Sequence, residues 1–257
     1  MAVLSIGLLL TCLAPDLSAQ PLPQLEFLKM MGQEGIDWGK QDFVSNVSEP
    51  EKVAEFAPSF NDCSSNPGKK YYKNFHQTDF NGDGRNDIIY EGPCPDDNTV
   101  KIWIADGQGG FEIVYDWTGQ VVSLEVGYGT GMVGMHKKAS KCDPYYQLIL
   151  VYFEKQHLRP EVFEVKVHKE TVEDFLSVNY RDVSEVLQHK WRLRTQAVLD
   201  DKTPRANCTS RSIRGNVLGD FDAERSFELK SGKGDWKLMM IKDKKKGNFH
   251  VGWAIAD

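Results

Sequence analysis

Val100, Ile102 and Ile104 alternate with Lys101 and Trp103, and Phe111, Ile113 and Tyr115 alternate with Glu112, Val114 and Asp116. Alternation with period two puts every second side chain on one face of a pleated strand, the signature of a half-buried strand. Between the two runs, Ala105-Asp106-Gly107-Gln108-Gly109-Gly110 reads as a glycine-rich hairpin loop. Tyr146–Phe153 is a near-continuous apolar strand, and Glu161–Val167 alternates again. The regular helix–strand alternation that a parallel α/β sheet needs does not occur. The chain is therefore expected to be mainly β. Short helices are expected over Gln24–Met31 and Glu49–Phe56, and Asp174–Leu187 reads as an ambiguous, helical linker.

The 257 residues carry 31 Lys+Arg against 37 Asp+Glu, a net charge of −6, and 40% are hydrophobic, so the composition is that of a folded chain. The acidic balance argues against a nucleic-acid partner, which calls for a basic stripe. The longest apolar run, Ala2–Ala14, is too short to span a bilayer, so no transmembrane segment is expected. It reads instead as the core of a secretory signal, with cleavage after Leu17-Ser18-Ala19 and a mature chain from Gln20. No Lys or Arg precedes the run; a buried N-terminal helix is the rival reading. Cys12 as a lipid-bearing cysteine fits poorly, because Leu10-Thr11 precede it. The expected location is secreted or periplasmic.

Export makes disulfides permissible, and Cys63, Cys94, Cys142 and Cys208 remain in the mature chain. Four cysteines allow about three connectivities. Cys63–Cys94 with Cys142–Cys208 is the expected set, since the first pair flanks one compact motif. Four unpaired buried thiols are the alternative. No C-x-x-C spacing points to zinc or to thioredoxin-type chemistry.

That compact motif is Asp79-Phe80-Asn81-Gly82-Asp83-Gly84-Arg85-Asn86-Asp87. Asp79, Asn81, Asp83 and Asp87 place side-chain oxygens at positions one, three, five and nine, and Arg85 offers its backbone carbonyl at position seven. Calcium takes roughly six to eight hard oxygen ligands, and a tight loop turns alternate side chains toward one centre. Position twelve is Tyr90 inside the apolar run Ile88-Ile89-Tyr90, so the loop enters a strand and an EF-hand is disfavoured. An Asx-rich turn without metal is the plain alternative. The segment Phe75–Trp117 resembles one repeat of the FG-GAP/VCBS family, in which D-x-N-x-D-G-x-x-D precedes a strand. Gly107, Gly109 or Gly110, and Phe111 match that family's G-x-G-x-F hairpin. The resemblance implies a partial propeller-like β module and structural Ca2+ held by Asp79, Asn81, Asp83, Arg85 and Asp87, with no catalytic residue among them. A single copy of the loop speaks against a full propeller.

The stretch Trp191–Asp257 resembles bacterial Src-homology-3-type domains. Leu193-Arg194-Thr195, Gly215-Asn216-Val217-Leu218-Gly219, Asp235-Trp236-Lys237-Leu238 and Gly252-Trp253-Ala254 carry the likeness. It implies a small barrel filled or rimmed by Trp236 and Trp253, binding cell-wall peptides or other extracellular ligands. The expected organisation is a signal peptide over 1–19, a weakly patterned segment over 20–60, an FG-GAP-like domain over 61–185 and a Src-homology-3-type domain over 186–257. The basic run Lys242–Gly247 reads as a solvated hairpin tip.

Two motifs look enzymatic. Gly129-Thr130-Gly131-Met132-Val133-Gly134 satisfies G-x-G-x-x-G, but the segment that follows is too short and Pro-broken for the helix a dinucleotide site needs. Asp62-Cys63-Ser64 resembles the nucleophile of NlpC-type cell-wall cysteine peptidases, but a turn-forming Ser65-Asn66-Pro67-Gly68-Lys69 follows where a helix is required. The six histidines are scattered and form no motif. The expected function is a non-enzymatic, calcium-stabilised exported binding protein for a cell-envelope or extracellular ligand: a peptidoglycan peptide, a glycan or a protein. A cysteine peptidase using Cys63 and a purely structural envelope component are the alternatives.

Overall fold

The structure is a computed structural model and describes residues 23–31, 33–41, 45–46, 73–94, 97–127, 130–140, 143–154, 159–202, 204–205 and 213–255. The apolar run 2–14, the helix expected over 49–56, and Cys12, Cys63, Cys142 and Cys208 lie outside these residues.

The described chain is mainly β, as the alternation requires. The first sheet is an antiparallel meander in chain order: β1 (Ser45–Asn46), β2 (Phe75–Thr78), β3 (Asp87–Cys94), β4 (Asp97–Ala105) and β5 (Phe111–Thr118). Gly119 alone separates β5 from β6 (Gln120–Gly127), and there the chain crosses into the second sheet. That sheet continues antiparallel through β7 (Thr130–Lys137), β8 (Tyr145–Glu154) and β9 (Glu161–His168). The stretch read as a linker resolves into a helix, Val172–Leu176, a helical turn, Tyr180–Asp182, and a strand, β10 (Ser184–Val186).

The C-terminal strands extend the same sheet. These are β11 (Lys190–Arg194), β14 (Val217–Ser231), β15 (Trp236–Asp243) and β16 (Phe249–Ile255), while β12 (Pro204–Arg205) and β13 (Ile213–Arg214) pair with each other in a separate two-stranded sheet. Antiparallel ladders run β11–β14–β15–β16, and an Arg194–Trp253 bridge ties β16 back to β11. β16 also pairs in parallel with β9 through Phe249 and Val165, so residues on either side of position 186 share one continuous sheet.

Three packing layers position the site. Ile89, Val100, Ile102 and Ile104 of the first sheet face Val121, Val133, Ile149 and Val151 of the second. On the opposite face of β8, Leu148 and Leu150 join a larger core with Phe27 and Met30 of helix α1 (Pro23–Met30), Val165, Met240 and Trp253. Both faces of β8 are thus buried, which is the physical reason its sequence is almost uninterruptedly apolar. A separate cluster of Trp191, Leu193, Ala223, Met239, Ile241 and Ala254 lies within the strands β11 and β14–β16. Trp236 and Trp253 instead belong to the larger core shared with β8 and β9. Among the described residues no helix is long and apolar enough to cross a membrane.

Candidate functional site

The acidic loop connects β2 to β3 and is built from its own side chains. Asp79 accepts from the Asp83 N–H at 3.0 Å and, through its other oxygen, from the Gly84 N–H at 2.8 Å. Asn81 accepts from the Asp83 N–H at 3.1 Å, and Asp83 accepts from the Arg85 N–H at 2.9 Å. The Asn81 and Asp83 bonds are Asx turns, each to the N–H two residues on, while Asp79 reaches across the loop to N–H groups four and five residues on. Gly84 sits at φ +89°, in the left-handed region that glycine enters without a Cβ penalty.

Two residues bolt the loop to the protein. Phe80 is fully buried in the core between the sheets and stacks on Phe153 with ring centroids 5.6 Å apart. Asp87 is also fully buried, and its oxygens accept from the Phe80 and Ala105 N–H groups, each at 2.9 Å. Burial pushes the Asp87 carboxyl up to about 6; the two N–H donors oppose that rise, and the charges of Asp83 and Asp79 add to it.

The donor chemistry of Asp79, Asn81, Asp83, Asp87 and the Arg85 carbonyl suits a hard dication, since the oxygens of Asp79 and Asp87 each keep a lone pair beside one N–H bond, whereas one Asp83 oxygen accepts from both Asn81 and Arg85. The cage is not drawn together as the loop stands. The Arg85 guanidinium ion-pairs with Asp83 at 2.5 Å, and no three His, Cys, Asp or Glu side chains among the described residues are grouped to hold a metal. Cys94, at the end of β3, is disulfide-bonded.

A second constellation, absent from any local motif, lies at the corner where Gly119 carries the chain between sheets. An open cleft of about 690 Å3 is lined there by Trp38, His76, Glu91, Gln120 and His136, with Lys73, Lys137 and Lys138 on its walls. Trp38 stacks on His76 with centroids 4.0 Å apart and rings nearly parallel, at 5°. Its indole N–H donates to Glu91 at 2.7 Å. Glu91 also accepts from the Val121 N–H and from Asn98. Burial raises the Glu91 carboxyl above the ordinary range, against the pull of these three donors. Burial pushes the His76 imidazole down to about 4, and its Nδ1 is buried without a hydrogen-bond partner among the described residues. Burial and the neighbouring Lys138 also lower His136, which stands 3.4 Å from the Gln120 side-chain oxygen. Sequence reading missed this cleft because it gathers six separate segments, and no spacing along the chain reports such a meeting.

Two segments of the C-terminal stretch, Leu193-Arg194-Thr195 and Gly215–Gly219, meet through Arg194 and Asn216. Arg194 is buried and donates to Asn216 at 2.9 Å and to Asp201 at 2.8 Å. Asn216, itself buried, holds the following loop by donating to the carbonyls of Gln196 and Val198. Residues 130–134 of the G-x-G-x-x-G run fall on strand β7, and the described residues that follow, 138–140 and 143–154, form no helix of the kind a dinucleotide phosphate needs.

No family model matches the chain, and no curated protein and no solved structure matches it either.

Proposed function

We propose that the protein is a non-enzymatic, calcium-stabilised, exported binding protein for a cell-envelope or extracellular ligand. The observation that carries this reading is the acidic loop, a chain of Asx turns placed between neighbouring strands of an antiparallel meander and anchored at both ends in the core. The FG-GAP/VCBS likeness implies that context for a structural calcium loop. Asp79, Asn81, Asp83, Asp87 and the Arg85 carbonyl would hold Ca2+, with Arg85, half exposed, releasing Asp83 to the solvent side. The ion would neutralise three carboxylates that repel one another and stiffen the β2–β3 connection. The disulfide at Cys94 supports an oxidising, exported setting. The ladders through β11, β14, β15 and β16 support the Src-homology-3-type reading of the C-terminal stretch.

The test is a thermal melt of the metal-free mature chain with and without Ca2+. A ligand that binds only the folded state raises the melting temperature by mass action. Ca2+ is expected to do so, and Asp83→Ala to abolish the rise. An unchanged melt on adding Ca2+ overturns the calcium assignment. Co-sedimentation with peptidoglycan sacculi tests the wall as ligand; failure to pellet in Ca2+ discards it in favour of soluble glycans or proteins.

A further inference from the structure

The corner cleft carries an inference that rests on the reading of this chain as a binding protein but not on calcium. Lys73, Lys137 and Lys138 stand around the cleft, and among the described residues none of the three makes an ion pair. Lys137 lies 6.0 Å above the Trp117 ring instead. In a chain of net charge −6, three uncompensated ammonium groups on one concavity create a local positive field, which concentrates anions. The single acid in the cleft, Glu91, is turned inward and spent on Trp38, Val121 and Asn98.

The neutral groups specify more than charge. His76 is only 4% exposed, yet its Nδ1 has no partner among the described residues. Buried polar atoms are normally satisfied, so an orphan at a cleft wall marks a place for a ligand hydrogen bond. The Asn74 side chain lines the same wall and makes no hydrogen bond among the described residues. Trp38 adds a half-buried indole, a flat apolar surface of the kind that the C–H face of a sugar ring covers well. Ammonium groups for acid substituents, amide and imidazole for hydroxyls, and an indole for the ring together describe one ligand chemistry. We propose that this cleft binds an anionic oligosaccharide, with its carboxylate or sulfate groups on Lys73, Lys137 and Lys138 and its hydroxyls on Asn74 and His76.

Calorimetric titration of the mature chain in Ca2+ tests this with four probes: an alginate hexasaccharide (carboxylate), a heparin hexasaccharide (sulfate), cellohexaose (neutral) and hexaglutamate (an acidic peptide). At least one anionic hexasaccharide is expected to bind, and the tighter of the two identifies the acid group. Lys137→Ala/Lys138→Ala and Lys73→Ala are each expected to weaken it about tenfold, or about 1.4 kcal/mol. Raising salt from about 0.1 to about 1 M is expected to weaken it further. The control is Lys244→Ala/Lys245→Ala/Lys246→Ala in the basic turn, expected to bind as the parent does. All of these lysines are exposed or half-buried, so the variants keep the fold. The proposal is overturned if neither anionic saccharide binds, if cellohexaose or hexaglutamate binds as tightly, or if the loss follows the 244–246 substitutions instead. A normal Ca2+ response with no saccharide binding sinks this proposal alone. Saccharide binding without a Ca2+ response sinks the loop assignment alone.

Discussion

Gly131 of β7 lies directly against the carbonyl of Phe80: a Cβ on Gly131 would stand 2.0 Å from that oxygen. The contact joins the acidic loop, through its backbone, to the second sheet. A glycine that reads as part of a nucleotide motif is instead the gap into which the loop fits.

Gly131→Ala is therefore expected to destabilise the protein by about 3 kcal/mol, at the upper end of overpacking costs, because backbone rather than a flexible side chain must give way. Gly127→Ala is the matched control, since its Cβ would meet nothing closer than 3.5 Å. The urea midpoints of the two variants check this. Equal midpoints would show that the loop is not pressed against β7.

Asp87 and Asp83 are expected to separate structure from metal binding. Asp87→Asn replaces one acceptor oxygen by an amide that faces the Phe80 or Ala105 N–H. The loss expected without any calcium is about 1–3 kcal/mol, the cost of a buried unsatisfied donor. Asp83→Asn should leave metal-free stability within about 0.5 kcal/mol of the parent, because its Arg85 partner is half exposed. Calorimetric unfolding in chelator measures both. A larger loss for Asp83→Asn than for Asp87→Asn would reverse these roles.

His76 predicts an acid-sensitive fold. Its folded value of about 4 lies below the ordinary 6.5, so the unfolded chain binds the proton more readily. Stability is full above about pH 6.5 and is lost as pH falls toward 4, by on the order of 3 kcal/mol from this residue. His76→Phe keeps a ring against Trp38 and removes the titration. The variant's stability should fall less over that window than the parent's, as read by urea unfolding at stepped pH. Parallel curves would remove His76 as the cause.

Arg194 and Asp201 form an uneven pair. The Arg194 side chain is 6% exposed and that of Asp201 61%. Arg194→Met is expected to cost about 3 kcal/mol, chiefly because Asn216 and the Asp200 carbonyl lose their donor. Asp201→Asn should cost less than about 1 kcal/mol. Thermal melts of the two variants decide it; equal shifts would mean that the ion pair, not the Asn216 contact, holds the 195–202 loop.

Strands, hairpin loop and first helix were legible because each is a local matter. Period two in 100–104 and 111–115 marked β4 and β5 as strands, and the helix expected over Gln24–Met31 became α1 at Pro23–Met30; the half-buried pattern did not hold, since Lys101 and Trp103 are buried with Val100, Ile102 and Ile104, and Ile113 is exposed. The donor set of the acidic loop was equally plain, since its oxygens come from nine consecutive residues. Which tryptophan packs where was not legible. Trp191 sits in the cluster within the C-terminal strands, whereas Trp236 and Trp253 face the core shared with β8 and β9. That choice depends on β16 lying beside β9, a pairing between residues more than eighty positions apart.

The sequence by itself determined a mainly β chain and a loop rich in hard oxygen donors, because side-chain alternation and turn chemistry act over a few neighbouring residues. Only the tertiary structure decided that β8 is buried on both faces, that Gly131 makes room for Phe80, and that Trp38, His76 and three lysines share one cleft. Those relations join distant segments. They are fixed by which surfaces can exclude water together, and no local pattern encodes that.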